Sequence, residues 1–351
     1  MTSHAAPGWV LPGRTAPKPR EAATTHRPGP APPVLGRRAT LLGLAGLSAA
    51  AAPSRTTTLL VAGPSGGRLE GWAGLLAPSL ARTGATLERR LLGGVDGVTG
   101  ANGFDALGPP DGTTALLVPG AAPLAWLTGD RRAKFDPSQW VAIWAAAAPA
   151  VLLTRAPLAP GQPLRVPAVS ASGPALPMLL ALDLLGVPTA LLPPATAESL
   201  GDVDGIVLSG PGTPRTAAFL AAAGFRPALA LGMPDGAGWA ADPAFPGVPT
   251  AIRQVAARSP PPTLLAAFRA TAAAVQMEAA LVLPGLSIPE QVASWQQACN
   301  GLASSPDALT IAAADDIRPG DARMAVALMA AIAAGGPAIP ALQDWLARRG
   351  P

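Results

Sequence analysis

From residue 56 onward the chain alternates between short apolar or β-branched runs and longer segments whose apolar positions recur every three to four residues. The first pattern, at 57–62, 86–91, 114–118, 141–145, 151–154, 165–170, 205–208 and 228–231, reads as strands bounded by Gly and Pro. The second predicts helices over 68–82, with Leu69, Trp72, Leu76 and Leu80 near one face, and over 176–185 and 214–223. Beyond 249 the pattern is mostly helical, with one strand near 280–283. Strands alternating with helices predict an α/β fold with parallel sheets. At 351 residues there is room for two lobes, and no internal repeat interrupts the alternation.

The first strand runs into Gly63-Pro64-Ser65-Gly66-Gly67, and a helix follows. Three readings compete for this loop. A phosphate cradle needs G-x-x-x-x-G-K-[ST], whereas Arg68 and Leu69 follow the glycine pair, and the dinucleotide spacing G-x-G-x-x-G does not fit. A catalytic serine fits better, since Gly63 to Gly67 reads G-x-S-x-G at a strand-to-helix turn. That elbow needs a base, usually His. The two histidines, His4 and His26, both precede Arg37-Arg38. Lys134 is the one lysine after that point, so a Ser65–Lys134 pair is the remaining hydrolase option. The third reading is a cup of backbone N–H groups for another anion, with Ser65 as an extra donor; its plain counterpart is a tight turn needing positive φ.

Composition narrows the chemistry. There is one cysteine, Cys299, and no tyrosine, so neither an internal disulfide nor a Cys/His zinc cluster is expected, and no metal or cofactor is predicted. Cys299 is expected to pack on an apolar helix face. Aromatics make up 4%, too few for base-stacking platforms. The net charge of +4 comes from residues 1–52, which carry six basic residues against one acidic; the rest totals −1. The basic balance therefore gives no support for a nucleic-acid partner. Trp72, Trp126, Trp140 and Trp144 are expected in the core.

The leader has its own signature. Arg37-Arg38 precedes an apolar run from 41 to 52 that ends in Ala49 to Ala52, the pattern of a twin-arginine signal peptide cleaved near Ala50 to Ala52. The run is too short to span a membrane. Residues 1–35 are Pro-rich and polar, an expected disordered extension, and translation from near Val34 is one explanation for it.

Five stretches share an order and spacing: AGPSGG at 62–67, GGVDGVTGAN at 93–102, PPDGTTALL at 109–117, GDVDGIVL at 201–208 and FPGVPTAIR at 245–253. Together they resemble the substrate-binding proteins of tripartite tricarboxylate transporters, the Bug family of periplasmic binding proteins. The resemblance implies a two-lobed type II binding-protein fold with a parallel-sheet core in each lobe and a ligand cleft between. It implies lobe 1 from 53–148 and 249–351, and lobe 2 from 149–248. It implies a monomeric, non-enzymatic periplasmic protein that captures a small carboxylate for membrane transporter subunits. A secreted Ser65 hydrolase and a ligand-sensing partner of a membrane receptor are the alternatives. The implied binding set is Pro64, Ser65, Gly66 and Gly67 on one lobe, facing Ser170, Ser172 and Gly173, which read equally as an N-cap and turn. Ser209 and Gly210, in a turn after a buried strand, complete it. The chain departs from the family at Ser65, where proline is usual. The segment 169–177 lacks the Asn and His of the family's second ligand loop. At 207–210 VLSG replaces F-D-S, so a carboxylate is missing.

Overall fold

The computed structural model describes residues 56–81, 86–107, 111, 113–194, 199–235 and 238–349. The leader, with Arg37, Arg38 and its cleavage site, lies outside them, as do Pro109, Pro110 and Gly112 of the expected turn.

The chain opens with β1 (Thr56–Val61), α1 (Arg68–Ala81), β2 (Thr86–Leu91), α2 (Val98–Leu107), β3 (Thr114–Val118) and α3 (Ala121–Leu127). Next come β4 (Trp140–Ala147), β5 (Ala150–Thr154), β6 (Leu164–Pro167), α4 (Leu176–Leu184), β7 (Thr189–Leu192), β8 (Gly205–Ser209), α5 (Thr213–Leu220) and β9 (Arg226–Ala230). The hairpin β10 (Met233–Asp235) and β11 (Gly238–Ala240) leads to α6 (Ala251–Ala257), α7 (Pro262–Gln276), β12 (Met277–Pro284) and α8 (Pro289–Cys299). The chain closes with α9 (Pro306–Asp315), β13 (Arg318–Pro319), α10 (Ala322–Ala333) and α11 (Ile339–Arg349).

Six strands form the first sheet in the order β13-β4-β12-β3-β1-β2. β1 pairs in parallel with both β2 and β3, as the crossover helices α1 and α2 require. β3 is buried along its whole length, which is what a continuous apolar run encodes. The other half of the sheet is antiparallel: β12 runs against both β3 and β4. α1 turns Leu69, Trp72, Leu76 and Leu80 inward, the face its periodicity predicts. Trp72 meets Trp144 there at a centroid distance of 5.2 Å. Cys299 is buried in the same cluster, and burial pushes its thiol up to about 12.

The second sheet departs from the expected parallel core. Its order is β8-β5-β9, and β5 runs antiparallel to both neighbours. The physical reason lies in the connections. β8 and β9 point the same way, as the α5 crossover demands, but β5 enters directly from β4 through Ala148-Pro149 and inserts between them. The parallel pair on this side is β6 with β7. Asp204 ties that pair to β8: it accepts from the Arg165 N–H at 3.0 Å and from the Arg165 guanidinium at 2.9 Å. The guanidinium holds its carboxyl below the usual range.

Ala322–Arg349 has the length and hydropathy of a membrane span. It breaks at Gly335-Gly336, and Leu328, Ile332, Leu342 and Trp345 are buried in the main core cluster.

Candidate functional site

The loop after β1 is shaped by its glycines, each in its own way. Gly66 sits at φ +75°, the left-handed region that a side chain disfavours. Gly67 does not; its N–H closes the turn on the Pro64 carbonyl at 3.3 Å. The Gly66 N–H donates to Glu70 Oε2 at 2.6 Å, and Ser65 Oγ reaches the same oxygen at 3.4 Å. A carboxylate in the first turn of α1 thus reaches back over the loop, as in a capping box. The Ser65 hydroxyl and the Gly66 and Gly67 N–H groups, expected to form an anion cup, are thus all engaged within the protein. The first-turn N–H groups of Arg68 and Leu69 have no acceptor inside the helix, and their positive dipole end favours negative charge.

A cavity of about 480 Å³ opens beside this turn. Pro64, Gly67, Arg68 and Leu69 line one side, and Ser209, Gly210 and Pro211, at the end of β8, line the other. The loop after β3 (Pro119 to Ala121), the junction of α7 with β12, and Val95, Leu124 and Pro174 add to the wall. Gly120 donates its N–H to the Met277 carbonyl at 3.0 Å, and a Cβ there would overlap the carbonyl oxygens of Ala274 and Met277. Only glycine lets the end of β3 approach β12 this closely.

Of the sequence-predicted residues, the structure brings Pro64, Gly67, Ser209 and Gly210 together around this cavity. Ser65 and Gly66 sit outside its lining, on the Glu70 side of the turn. Ser170 and Ser172 pair with each other at 3.2 Å, and they and Gly173 also lie outside the lining; their neighbour Pro174 is the residue that reaches it. Ser65, the nucleophile of the hydrolase reading, has Glu70 as its hydrogen-bond partner. Gly210, at φ +90°, donates its N–H to the Pro149 carbonyl and accepts from Thr213 Oγ1 at 2.6 Å, which fixes the turn after β8.

Sequence reasoning missed the charged pair in this cavity. Arg68 Nε meets Glu278 Oε1 at 2.7 Å. Glu278 lies where the β12–β4 register slips between Met277 and Ala279, and such a bulge re-aims a side chain out of the ladder. Its side chain is 11% exposed against 57% for Arg68, so the carboxylate is the buried partner. Burial raises its pKa, Arg68 opposes that, and nearby Asp315 adds to it. No spacing signal could have joined residues so far apart in the chain. Across the cleft, α5 is tied to the end of α9: the Gly212 N–H donates to the Asp315 carbonyl at 2.7 Å, and Arg215 Nε bonds Asp316 at 3.1 Å and also reaches the Ala314 carbonyl. Among the described residues no group of three His, Cys, Asp or Glu side chains could hold a metal.

The chain is similar to a crystal structure of a TctC solute-binding protein from Polaromonas without ligand. The two are 17% identical with a TM-score of 0.62, over 84% of this chain and 99% of that one. The fold is that of a two-lobed periplasmic solute-binding protein. More distant in shape are MatC from Rhodopseudomonas palustris with bound malate (20% identity, TM-score 0.46, covering 84% and 99%) and the periplasmic binding protein BugD (17%, 0.45, 85% and 99%). No protein-family model and no curated sequence matches the chain. In this fold the cavity between the end of β1 and the end of β8 lies where ligands of open α/β sheets bind, beyond the carboxyl ends of strands.

Proposed function

We propose that the protein is a periplasmic solute-binding protein of the tripartite tricarboxylate transporter type. It captures a small carboxylate between its lobes and delivers it, unchanged, to membrane transporter subunits. One observation carries this reading: a single cavity is walled jointly by the first turn of α1 and by the Ser209-Gly210-Pro211 turn of the opposite sheet. A carboxylate there meets the free N–H groups and positive dipole end of α1, the geometry of a helix-terminus anion site. The order of motifs from 62 to 253 and the fold shared with the TctC protein support the family and the role. The twin-arginine pattern at 37–38 supports export to the periplasm, with cleavage near Ala50 to Ala52. The two sheets support lobes divided near 149 and 248, since the second sheet draws its strands from within that span. The protein acts as a monomer and as a binder, not an enzyme.

A thermal-shift screen of the mature protein with di- and tricarboxylates, aromatic acids and amino acids tests this. Ligand at about 100 times its Kd adds roughly 2.7 kcal/mol of stability, and mass spectrometry should recover it unaltered. A chemically changed ligand, or no shift with any member of the panel, contradicts the proposal.

A further inference from the structure

Arg68 and Glu278 are the two charged residues lining the cavity, and they form one contact at 2.7 Å. A ligand that carried only a carboxylate would share Arg68 with Glu278, setting two negative charges on one guanidinium. Glu278, its side chain nearly enclosed, would then keep only a shared counter-charge and face a second carboxylate. A carboxylate so placed and only partly compensated is costly. Asp315 makes this worse, since it already disfavours the Glu278 charge. A ligand with both charges removes the difficulty: its carboxylate takes Arg68 and the first-turn N–H groups of α1, and its ammonium takes Glu278. Opposite charges are exchanged for opposite charges, and no buried group is stranded. Much of the remaining wall is apolar, from Leu69, Val95, Leu124 and Val275, so the body of the ligand meets mainly hydrocarbon.

Resting on the carboxylate-binding reading above, we infer that the ligand is a small zwitterion with an apolar body, of the kind of an α-amino acid, and that Glu278 selects for its ammonium group. Arg68 and Glu278 then work as a pre-formed ion pair that the ligand divides between its own two charges. Glu278 thereby discriminates against the deaminated acid of the same shape.

Calorimetric titration of the mature protein with two matched pairs tests this: L-leucine against 4-methylpentanoate, and L-phenylalanine against 3-phenylpropanoate. The expected result is that at least one amino acid binds about tenfold or more tighter than its deaminated partner. Glu278→Gln keeps the side chain's shape and removes its charge, and should bring that ratio to unity or invert it. Arg68→Gln should weaken both members of the pair. The inference is overturned if the deaminated acid binds as well as the amino acid in the parent protein, if the ratio survives Glu278→Gln in folded protein, or if neither member of either pair binds. The parent comparison needs no variant, so a misfolded Glu278→Gln leaves the test intact. Binding of other carboxylates without a preference for an amine would overturn the zwitterion and leave the carboxylate reading standing; silence across the whole carboxylate screen would remove both.

Discussion

The backbone N–H of Gly66 donates to Oε2 of Glu70 at 2.6 Å, so the glycine turn before α1 is closed by an acid from the helix it introduces. Glu70→Ala should therefore cost stability, by about 0.5–2 kcal/mol, the range for loss of a helix cap. Urea unfolding should show a lower midpoint at an unchanged slope. Ligand affinity should stay within about twofold, because Ser65 and Gly66 lie outside the cavity lining. A large loss of affinity with full stability would return the turn itself to the binding site.

Gly120→Ala should act on fold and site together. Its new methyl would overlap the carbonyl oxygens of Ala274 and Met277, both backbone atoms that cannot swing aside. A loss of several kcal/mol, about 3–5, is expected from such overpacking and from the parting of β3 from β12. Denaturant unfolding of the variant measures it, and a loss below about 1 kcal/mol would mean that the contact relaxes easily.

Asp242 supplies a pH test away from the cleft. It is 3% exposed; Oδ1 accepts the Ala244 N–H at 2.9 Å, and Oδ2 has no partner among the described residues. Burial raises its pKa, and the Ala244 N–H and Arg318 only partly offset this. In the window between the ordinary aspartate value and the raised one, the folded state holds a proton that the unfolded chain has released. Stability must then fall as pH rises through that window. Asp242→Asn cannot titrate. The stability of the parent relative to this variant should rise as pH is lowered from about 7 to about 4. A difference that stays constant across that range contradicts the assignment.

Arg215 gives the test of motion. With Gly212 it ties α5 to the end of α9, and the tie joins the side bearing Ser209 and Gly210 to the side bearing Glu278. The guanidinium is largely exposed, so its loss should be modest. Arg215→Ala should raise the ligand off-rate about two- to fivefold, read by stopped-flow tryptophan fluorescence, with little change in unfolding midpoint. An unchanged off-rate would mean that these contacts do not hold the cleft shut.

Much of this architecture is written locally. The β1–loop–α1 unit could be read because Leu69, Trp72, Leu76 and Leu80 repeat at helical spacing and Gly66-Gly67 mark the turn. β7, the β10–β11 hairpin and β13 could not: β10, β11 and β13 have two or three residues, too few for a period, and no residue of β7 is buried. The direction of β5 was hidden for another reason: a run such as 150–154 states that it is buried, and its orientation depends on which strands later flank it. The site divides the same way. Pro64, Gly67, Ser209 and Gly210 announce themselves by turn chemistry next to apolar runs. Glu278 does not, because a one-residue register slip in β12 decides where it points, and its partner Arg68 lies 210 positions earlier.

Titration calorimetry on the mature protein beside an Ala121→Trp variant tests whether the cavity between Arg68 and Ser209 is a ligand site. Ala121 lines the cavity and is exposed to it at the start of α3, so an indole there fills the space without replacing a core side chain. The carboxylate with the largest thermal shift should bind the parent protein once per chain with a Kd of about 1 μM, near −8 kcal/mol. It should give no measurable heat with Ala121→Trp, whose unfolding midpoint should remain close to that of the parent. Equal binding by both proteins would place the ligand elsewhere and rule this cavity out as its site.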